Sequence, residues 1–368
     1  MTSSSVDFAL LGHPSGPDHL DELIVHSRPD FDREKLRKHR ATFAKLFEWT
    51  PTYAAGDPIV VAAGAPHERR GQLVVCTFLP DVIDSPGAMV RAYQKVREGC
   101  ALARDAGARI VGLGGFTSIV GGATGLELAE SFGLRITSGN TLTAALAVAQ
   151  VQLMLVRLGW DRSRTLAVIG ASGDIGGACA LALASDVRRI IVIGRNPARI
   201  ETVARRLARH VEAYGSTDVR DATTADIVIA ATSSARPLLA ESEFRAGTLV
   251  CDVGYPKTLS YAAHARPDVL TFSGGLAQLP FDLRIGYYTR LPDRLMYGCY
   301  SESMLLAMVD SDTVPEVGQA MVTPGTMAKM LTLAERFGFR PAPAYRANEP
   351  WTDAAVATFL RAAHASVA

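Results

Sequence analysis

Residues 165–196 read TLAVIGASGDIGGACALALASDVRRIIVIGRN. An apolar run, Leu166–Ile169, ends at Gly170 and gives way to Ala171, Ser172, Gly173, Asp174, Ile175 and Gly176. A helix-like stretch follows, then a second apolar run, Ile190–Ile193, leads into Gly194, Arg195 and Asn196. Strand, glycine turn, helix and strand in this order hold a dinucleotide. Glycines let the backbone turn tightly and approach a pyrophosphate with no Cβ in the way. The N–H groups that open the helix meet the phosphate charge. The spacing of the glycines alone is common in ordinary turns; its place between a strand and a helix makes it specific.

The residue after the second strand narrows the cofactor. A carboxylate there would bind the ribose hydroxyls of NAD, whereas Arg195 suits the extra 2′-phosphate of NADP. No acid follows this strand until Glu201. NADPH is therefore the expected cofactor, held by Gly170, Ser172, Gly173, Asp174, Ile175, Gly176, Arg195 and Asn196. Thr232 and Ser233 follow the apolar run Ile227–Ala230 and are expected to lie along it. Gly254 and Tyr255 end the next run, as a nicotinamide contact or as a plain turn.

Working outward, apolar β-rich runs recur at Leu249–Val253 and Val269–Phe272. Near-continuous apolar strands separated by helical or polar segments fit a parallel sheet covered on both faces. Before this region, Phe8–Leu11, Leu73–Phe78 and Ala108–Gly112 read as strands among helices, with one helix over Phe31–Glu48 and another over Pro86–Gly107. After Phe281 the strand pattern fades into helices at Met296–Met308, Met321–Phe337 and Trp351–His364. The expected fold is α/β: an α/β substrate domain over 1–150, a Rossmann-like NADP-binding domain over 151–285, and a C-terminal helical segment over 286–368.

Composition excludes several classes. With 48% apolar and 20% charged residues and a formal charge of +1, nothing points to nucleic acid as partner. The five cysteines form no CxxC pair, so neither a metal site nor a disulfide framework is expected, and a reduced, cytoplasmic setting follows. MTSSSVDFALLGHPSG lacks the basic start and apolar core of a signal peptide. Ala144–Leu158 is apolar but short and interrupted by Gln150, Gln152 and Arg157, so a buried helix is expected and no stable membrane insertion.

One cysteine stands apart. Cys76 and Cys251 sit in apolar strands, and Cys100 and Cys179 in helical runs, as free cysteines ordinarily do. Cys299 follows Gly298 at the start of a helix in MYGCYSESMLLAM, where helix N–H groups favour a thiolate. Glu302, one turn on, opposes this unless it points away. His13 follows an apolar strand and is placed to face a cleft; the other histidines, His19 among them, are expected in solvent.

Several collinear segments resemble one family. FALLGH at Phe8–His13, Gly112–Ile119 with its GGFTS core, TSGNTLTA at Thr137–Ala144, VIGASGDIG at Val168–Gly176, CDVGYPKTL at Cys251–Leu259, SGGLAQ at Ser273–Gln278 and the Cys299 segment through Leu306 are similar to the fatty acyl-ACP reductases, which make aldehydes from acyl thioesters. The resemblance implies that Cys299 takes the acyl group as a covalent nucleophile and that NADPH is the donor. Phe116, Thr117, Asn140 and Thr141 are expected against the substrate, and Thr117, Asn140, Thr141 or nearby backbone N–H groups are the candidate donors to the developing oxyanion. The resemblance also implies acyl carrier protein or acyl-CoA as partner, and an aldehyde-consuming enzyme downstream. The family has histidine where this chain has Leu142. The basic run Arg33–Arg40 offers a dock for an acidic carrier, or a solvated helix face. Two alternatives remain: a shikimate-dehydrogenase-like reductase of a small ketone or imine, which needs no cysteine, and a non-catalytic NADPH-binding regulator.

Overall fold

The computed structural model describes residues 5–62, 64–81, 85–121, 125–262, 266–285, 289–309, 322–346 and 349–365. The chain forms two compact units, Met1–Gly139 with Leu279–Ala320 and Asn140–Gln278 with Met321–Ala368. Elements are numbered along the chain. The first unit holds strands β1 (Phe8–Gly12), β2 (Tyr53–Val61), β3 (Arg69–Val75), β4 (Ile110–Leu113) and β5 (Arg135–Thr137). Its helices are α1 (Pro17–Ser27), α2 (Arg33–Lys38), α3 (Arg40–Trp49), α4 (Pro86–Asp105), α5 (Phe116–Val120), α6 (Gly125–Phe132) and α10 (Gly298–Met308).

The five strands lie in the order β2-β3-β1-β4-β5, parallel except for the edge pair β2-β3. Successive side chains of a strand point to opposite faces, and that alternation assigns the two covering helices. Leu11 of β1 meets Gly99 of α4, whereas a Cβ on Gly12 would run into the hydroxyl of Tyr300 in α10. Thus α4 covers one face and α10 the other. In α10, Gly298 and all residues from Tyr300 to Met308 are buried, the polar Ser301, Glu302 and Ser303 included.

The second unit holds β6 (Thr165–Ile169), β7 (Arg189–Ile193), β8 (Glu212–Ser216), β9 (Ile227–Ala230), β11 (Thr248–Asp252) and β13 (Val269–Ser273), with the two-residue pair β10 (Leu239–Ala240) and β12 (Leu259–Ser260). Its helices are α7 (Asn140–Leu158), α8 (Asp174–Ala182), α9 (Pro197–Leu207), α11 (Pro324–Arg336) and α12 (Asp353–Ala365). The six main strands run parallel in the order β13-β11-β9-β6-β7-β8, the doubly wound order of dinucleotide-binding folds. Their apolar side chains and those of α7 and α8 make the core.

The α/β architecture holds, and three details of the sequence reading change. The boundary at 150 falls inside α7, one unbroken helix, so the division lies before Asn140. Residues 286–368 do not stay together: α10 belongs to the first unit, α11 and α12 to the second. The single helix expected over Phe31–Glu48 is two, broken at His39 (φ −113°), with Asp32 capping the first by accepting the N–H groups of Glu34 and Lys35. Among the described residues, α7 is the one helix long and apolar enough to cross a membrane, and 67% of that window is buried inside the protein.

Candidate active site

In the second unit the order of strands reverses between β6 and β9, which is where such sheets open a crevice at their carboxyl ends. The loop after β6 lines it. Gly170 has φ +85°, and a Cβ there would lie 2.2 Å from the carbonyl oxygen of Ala231. No other residue type fits this position. Ser172, Gly173 and Asp174 are exposed, with Gly173 at the N-cap of α8. Arg195 is exposed just past β7, and Gly194 brings that turn beside the Ser172 hydroxyl. Ser172 and Arg195 therefore border the same loop mouth. Asn196 behaves differently: its Oδ1 accepts the N–H of Arg199 at 3.1 Å and caps α9. Its side chain is spent on its own helix.

Thr232 follows β9 and shares a hydroxyl contact of 3.4 Å with Thr258; Ser233 is exposed beside it. Gly254 donates its N–H to Asp252 Oδ1 at 3.0 Å. Asp252, fully buried, also accepts the N–H groups of Thr258 and Leu259 and the hydroxyl of Tyr261. A buried carboxylate must be satisfied in this way, and it fixes the whole Gly254–Leu259 loop with Tyr255 on it. Lys257 donates to the Asp252 carbonyl at 2.8 Å, and burial lowers its pKa. The GYPK segment, a signature in the sequence, is thus organised by the carboxylate two residues before its glycine, which serves the turn.

In the first unit, Cys299 is the second residue of α10 and alone among the five cysteines keeps partial exposure. Gly139, at φ +67°, sits directly on it: a Cβ there would lie 2.1 Å from Cys299 Cα. Backbone N–H groups of Gly115, Tyr300 and Cys299 itself face the sulfur and favour the thiolate. Burial outweighs them, and the Glu302 charge adds to it, so the thiol is pushed up to about 11. The low-pKa cysteine expected from helix position alone is thus corrected, because the desolvation of a thiolate exceeds what three N–H groups return. Glu302 points inward, not away: it is 1% exposed and accepts the Thr137 hydroxyl at 2.5 Å, while Thr137 accepts the N–H of Gly139 at 3.0 Å.

The GGFTS loop follows β4. Phe116 and Thr117 are buried. The Thr117 hydroxyl donates to Gly114 O at 2.9 Å, so its proton is already committed. His13, at the end of β1, accepts the Phe116 N–H at Nε2, 2.8 Å away. His19, expected in solvent, is fully buried and accepts the Ser15 N–H at 3.0 Å. Asn140 and Thr141 open α7 in the second unit, Thr141 buried and Asn140 half-buried; Leu142 beside them is wholly buried.

Residues 155–273 match the model of the shikimate / quinate 5-dehydrogenase family. The chain is 28% identical over 303 residues to the long-chain acyl-[acyl-carrier-protein] reductase of Synechococcus elongatus, spanning 77% of this chain and 86% of that protein. It is 26% identical over 278 residues to the aminotransferase PigE of a Serratia species, covering 72% of this chain and 32% of that longer protein. Among solved structures, quinate dehydrogenase from Corynebacterium glutamicum aligns over 68% of this chain and 81% of its own, at 16% identity and a TM-score of 0.31. The second unit is an NADP(H)-binding domain of the dehydrogenase type, and the likeness of the chain as a whole supports an oxidoreductase.

Proposed function

We propose that the protein reduces an acyl thioester, carried by acyl carrier protein or CoA, to an aldehyde with NADPH, through an acyl group held on Cys299. The observation that carries this reading is the placement of Cys299: a partly exposed cysteine at the start of a buried helix, with three backbone N–H groups facing its sulfur. The likeness to a long-chain acyl-carrier-protein reductase over most of both chains supports it. The match over 155–273 covers the nucleotide-holding part and leaves the substrate open.

The chemistry divides into two exchanges. The Cys299 sulfur attacks the thioester carbonyl, and the carrier leaves as its thiol with the proton that Cys299 gives up. NADPH, when bound, supplies a hydride to the acyl carbon. The resulting alkoxide needs N–H or hydroxyl donors, for which the Gly115 N–H, Asn140 and Thr141 are the proposed sources. That oxygen then holds a proton from solvent until the carbon–sulfur bond breaks, releasing aldehyde and returning the Cys299 thiol. On the nucleotide side Gly170, Gly173, Asp174, Ile175 and Gly176 are proposed to hold the pyrophosphate, Ser172 and Arg195 the 2′-phosphate, and Thr232, Ser233, Gly254 and Tyr255 the remainder. Arg33 and Arg37, exposed on α2, are proposed to meet an acidic carrier.

Incubation with acyl-carrier thioester in the absence of NADPH, followed by intact-protein mass spectrometry, tests the reading. The wild type gains one acyl mass on the Cys299 peptide. Cys299→Ala gains none and binds NADPH as before. An acyl adduct that persists on Cys299→Ala overturns the assignment, and reduction of a small ketone that survives iodoacetamide favours the shikimate-dehydrogenase-like alternative.

A further inference from the structure

His13 is buried beside the turn that precedes α5, the proposed reaction does not use it, and both of its ring nitrogens are committed. The ring is 3% exposed and stacks on Phe78 at 4.9 Å between centroids. Nδ1 lies 2.8 Å from the carbonyl oxygen of Pro14, and Nε2 lies 2.8 Å from the backbone nitrogen of Phe116. A carbonyl only accepts, so the ring proton sits on Nδ1. A backbone N–H only donates, so Nε2 presents its lone pair to Phe116. The ring is thereby fixed as one neutral tautomer, with no free nitrogen to exchange protons with a substrate.

What it holds is the turn beside the cysteine. Phe116 is the first residue of α5 and follows Gly115, whose backbone N–H bonds the Cys299 sulfur. The same turn is tied at its other end, where Gly114 donates to Leu11 O at 2.9 Å and packs against the ring of Tyr300, the neighbour of Cys299. Gly115 has φ 57° and ψ −130°, a conformation open to glycine alone. Such a turn keeps its N–H aimed only if the next peptide is anchored, and Nε2 of His13 is that anchor. We propose that His13 is a positioning residue that aims the Gly115 N–H at the reacting sulfur, acting through the Phe116 peptide and never touching substrate. Its catalytic meaning rests on the reading of Cys299 as the acyl acceptor.

Two variants separate the ring's two bonds. In His13→Gln the amide oxygen reaches the place of Nε2 and keeps the acceptor for Phe116. In His13→Asn the shorter amide reaches only the place of Nδ1 and keeps the partner of Pro14. The experiment reads the rate at which iodoacetamide alkylates Cys299 at pH 8 by peptide mass spectrometry, with NADPH fluorescence titration as the control on the nucleotide domain. Removing the aimed N–H raises the thiol by about one unit and slows alkylation about tenfold in His13→Asn. His13→Gln stays within about threefold of the wild type, since its acceptor is retained. NADPH affinity is unchanged in both. Equal rates in the two variants, whether both fast or both slow, overturn the proposal, because a packing role does not distinguish the two amides. Alkylation needs no thioester, so its outcome is separate from the acyl-adduct test of the reaction itself.

Discussion

Two glycine-bearing loops follow parallel strands in this chain, Gly170–Gly176 after β6 and Gly112–Phe116 at the end of β4, and they use the missing Cβ in opposite ways. After β6, Gly170 passes under Ala231 and the following residues Ser172, Gly173 and Asp174 face solvent with the opening turn of α8. The space is left for something the chain does not contain. After β4 the space is filled from within: a Cβ on Gly112 would lie 1.9 Å from the Ser303 hydroxyl and one on Gly114 2.4 Å from the Tyr300 ring, and Gly139, which follows β5, is closed in the same way by the backbone of Cys299. One loop leaves its backbone facing solvent. The other closes over a helix so tightly that the partly exposed Cys299 is what the helix start presents. A glycine motif therefore reports a close approach; which partner approaches is decided by the fold.

The largest effect is expected where the close approach is backbone on backbone. In Gly139→Ala the new methyl would meet Cys299 Cα at 2.1 Å and Cys299 O at 2.7 Å, atoms that no rotamer change can move, at a φ of +67°. The substitution should cost about 4 kcal/mol of stability in the first unit. Urea unfolding reads the loss, and iodoacetamide reads the freed Cys299, while NADPH titration still reports the nucleotide loop. If NADPH binding and the cysteine packing fail together, the two loops are not the separate constructions described above.

Acid should separate them next. The nucleotide loop is anchored by backbone bonds, such as Gly170 N–H to Ile193 O and Gly173 N–H to Gly170 O. The cysteine loop is anchored by His13, whose pKa burial lowers to about 4, with His19 nearby adding to the effect. Between about pH 6.5 and 4 the unfolded chain binds a proton at this residue that the folded chain refuses. Stability is present above the unfolded pKa and falls as the pH drops through this window, by up to about 3 kcal/mol for the one residue. Denaturation midpoints at pH 7 and pH 4.5 should differ less in His13→Gln than in the wild type. An equal difference in both proteins would remove His13 from the account.

How much of this was legible in the sequence depends on where each strand lies. Five runs of the second unit are apolar along their length, the four inner strands β11, β9, β6 and β7 and the edge strand β13, which α12 packs against, and they are visible because their faces are covered. Glu212–Ser216 was missed: β8 is the edge strand, its residues exposed or half-buried, and its place comes from pairing with β7 and packing by α9. The same holds for β2, an antiparallel edge whose register shifts between Ala55 and Ile59. Cys299 and the start of its helix were legible, and its electrostatics were not, since the burial that raises the thiol is set by strands far away in sequence. Asn196 reads in the sequence as a nucleotide contact, and the Pro197 that follows it is the unused signal of the helix cap it forms.

A third substitution returns to the open loop. Gly170→Ala would set a methyl 2.2 Å from Ala231 O at φ +85°. The loop must shift to relieve this, and NADPH affinity should fall about a hundredfold, or about 2.7 kcal/mol. Cys299 alkylation should not change. An unaltered affinity would mean that the loop tolerates side chains and that its glycine serves the turn alone.

The smallest effect tests what the open loop was left open for. Arg195 is exposed and borders the Ser172 hydroxyl through Gly194. An exposed guanidinium gains little from a surface partner, but a phosphate group bound at two points gives it charge-assisted bonds. Arg195→Ser should therefore weaken NADPH about tenfold, or about 1.4 kcal/mol, and leave NADH affinity as it is, because NADH offers no phosphate there. Paired titrations of the two nucleotides read the difference. Equal weakening of both would make Arg195 a support for the β7 turn, and the outward-facing loop would then recognise a dinucleotide without distinguishing its 2′ end.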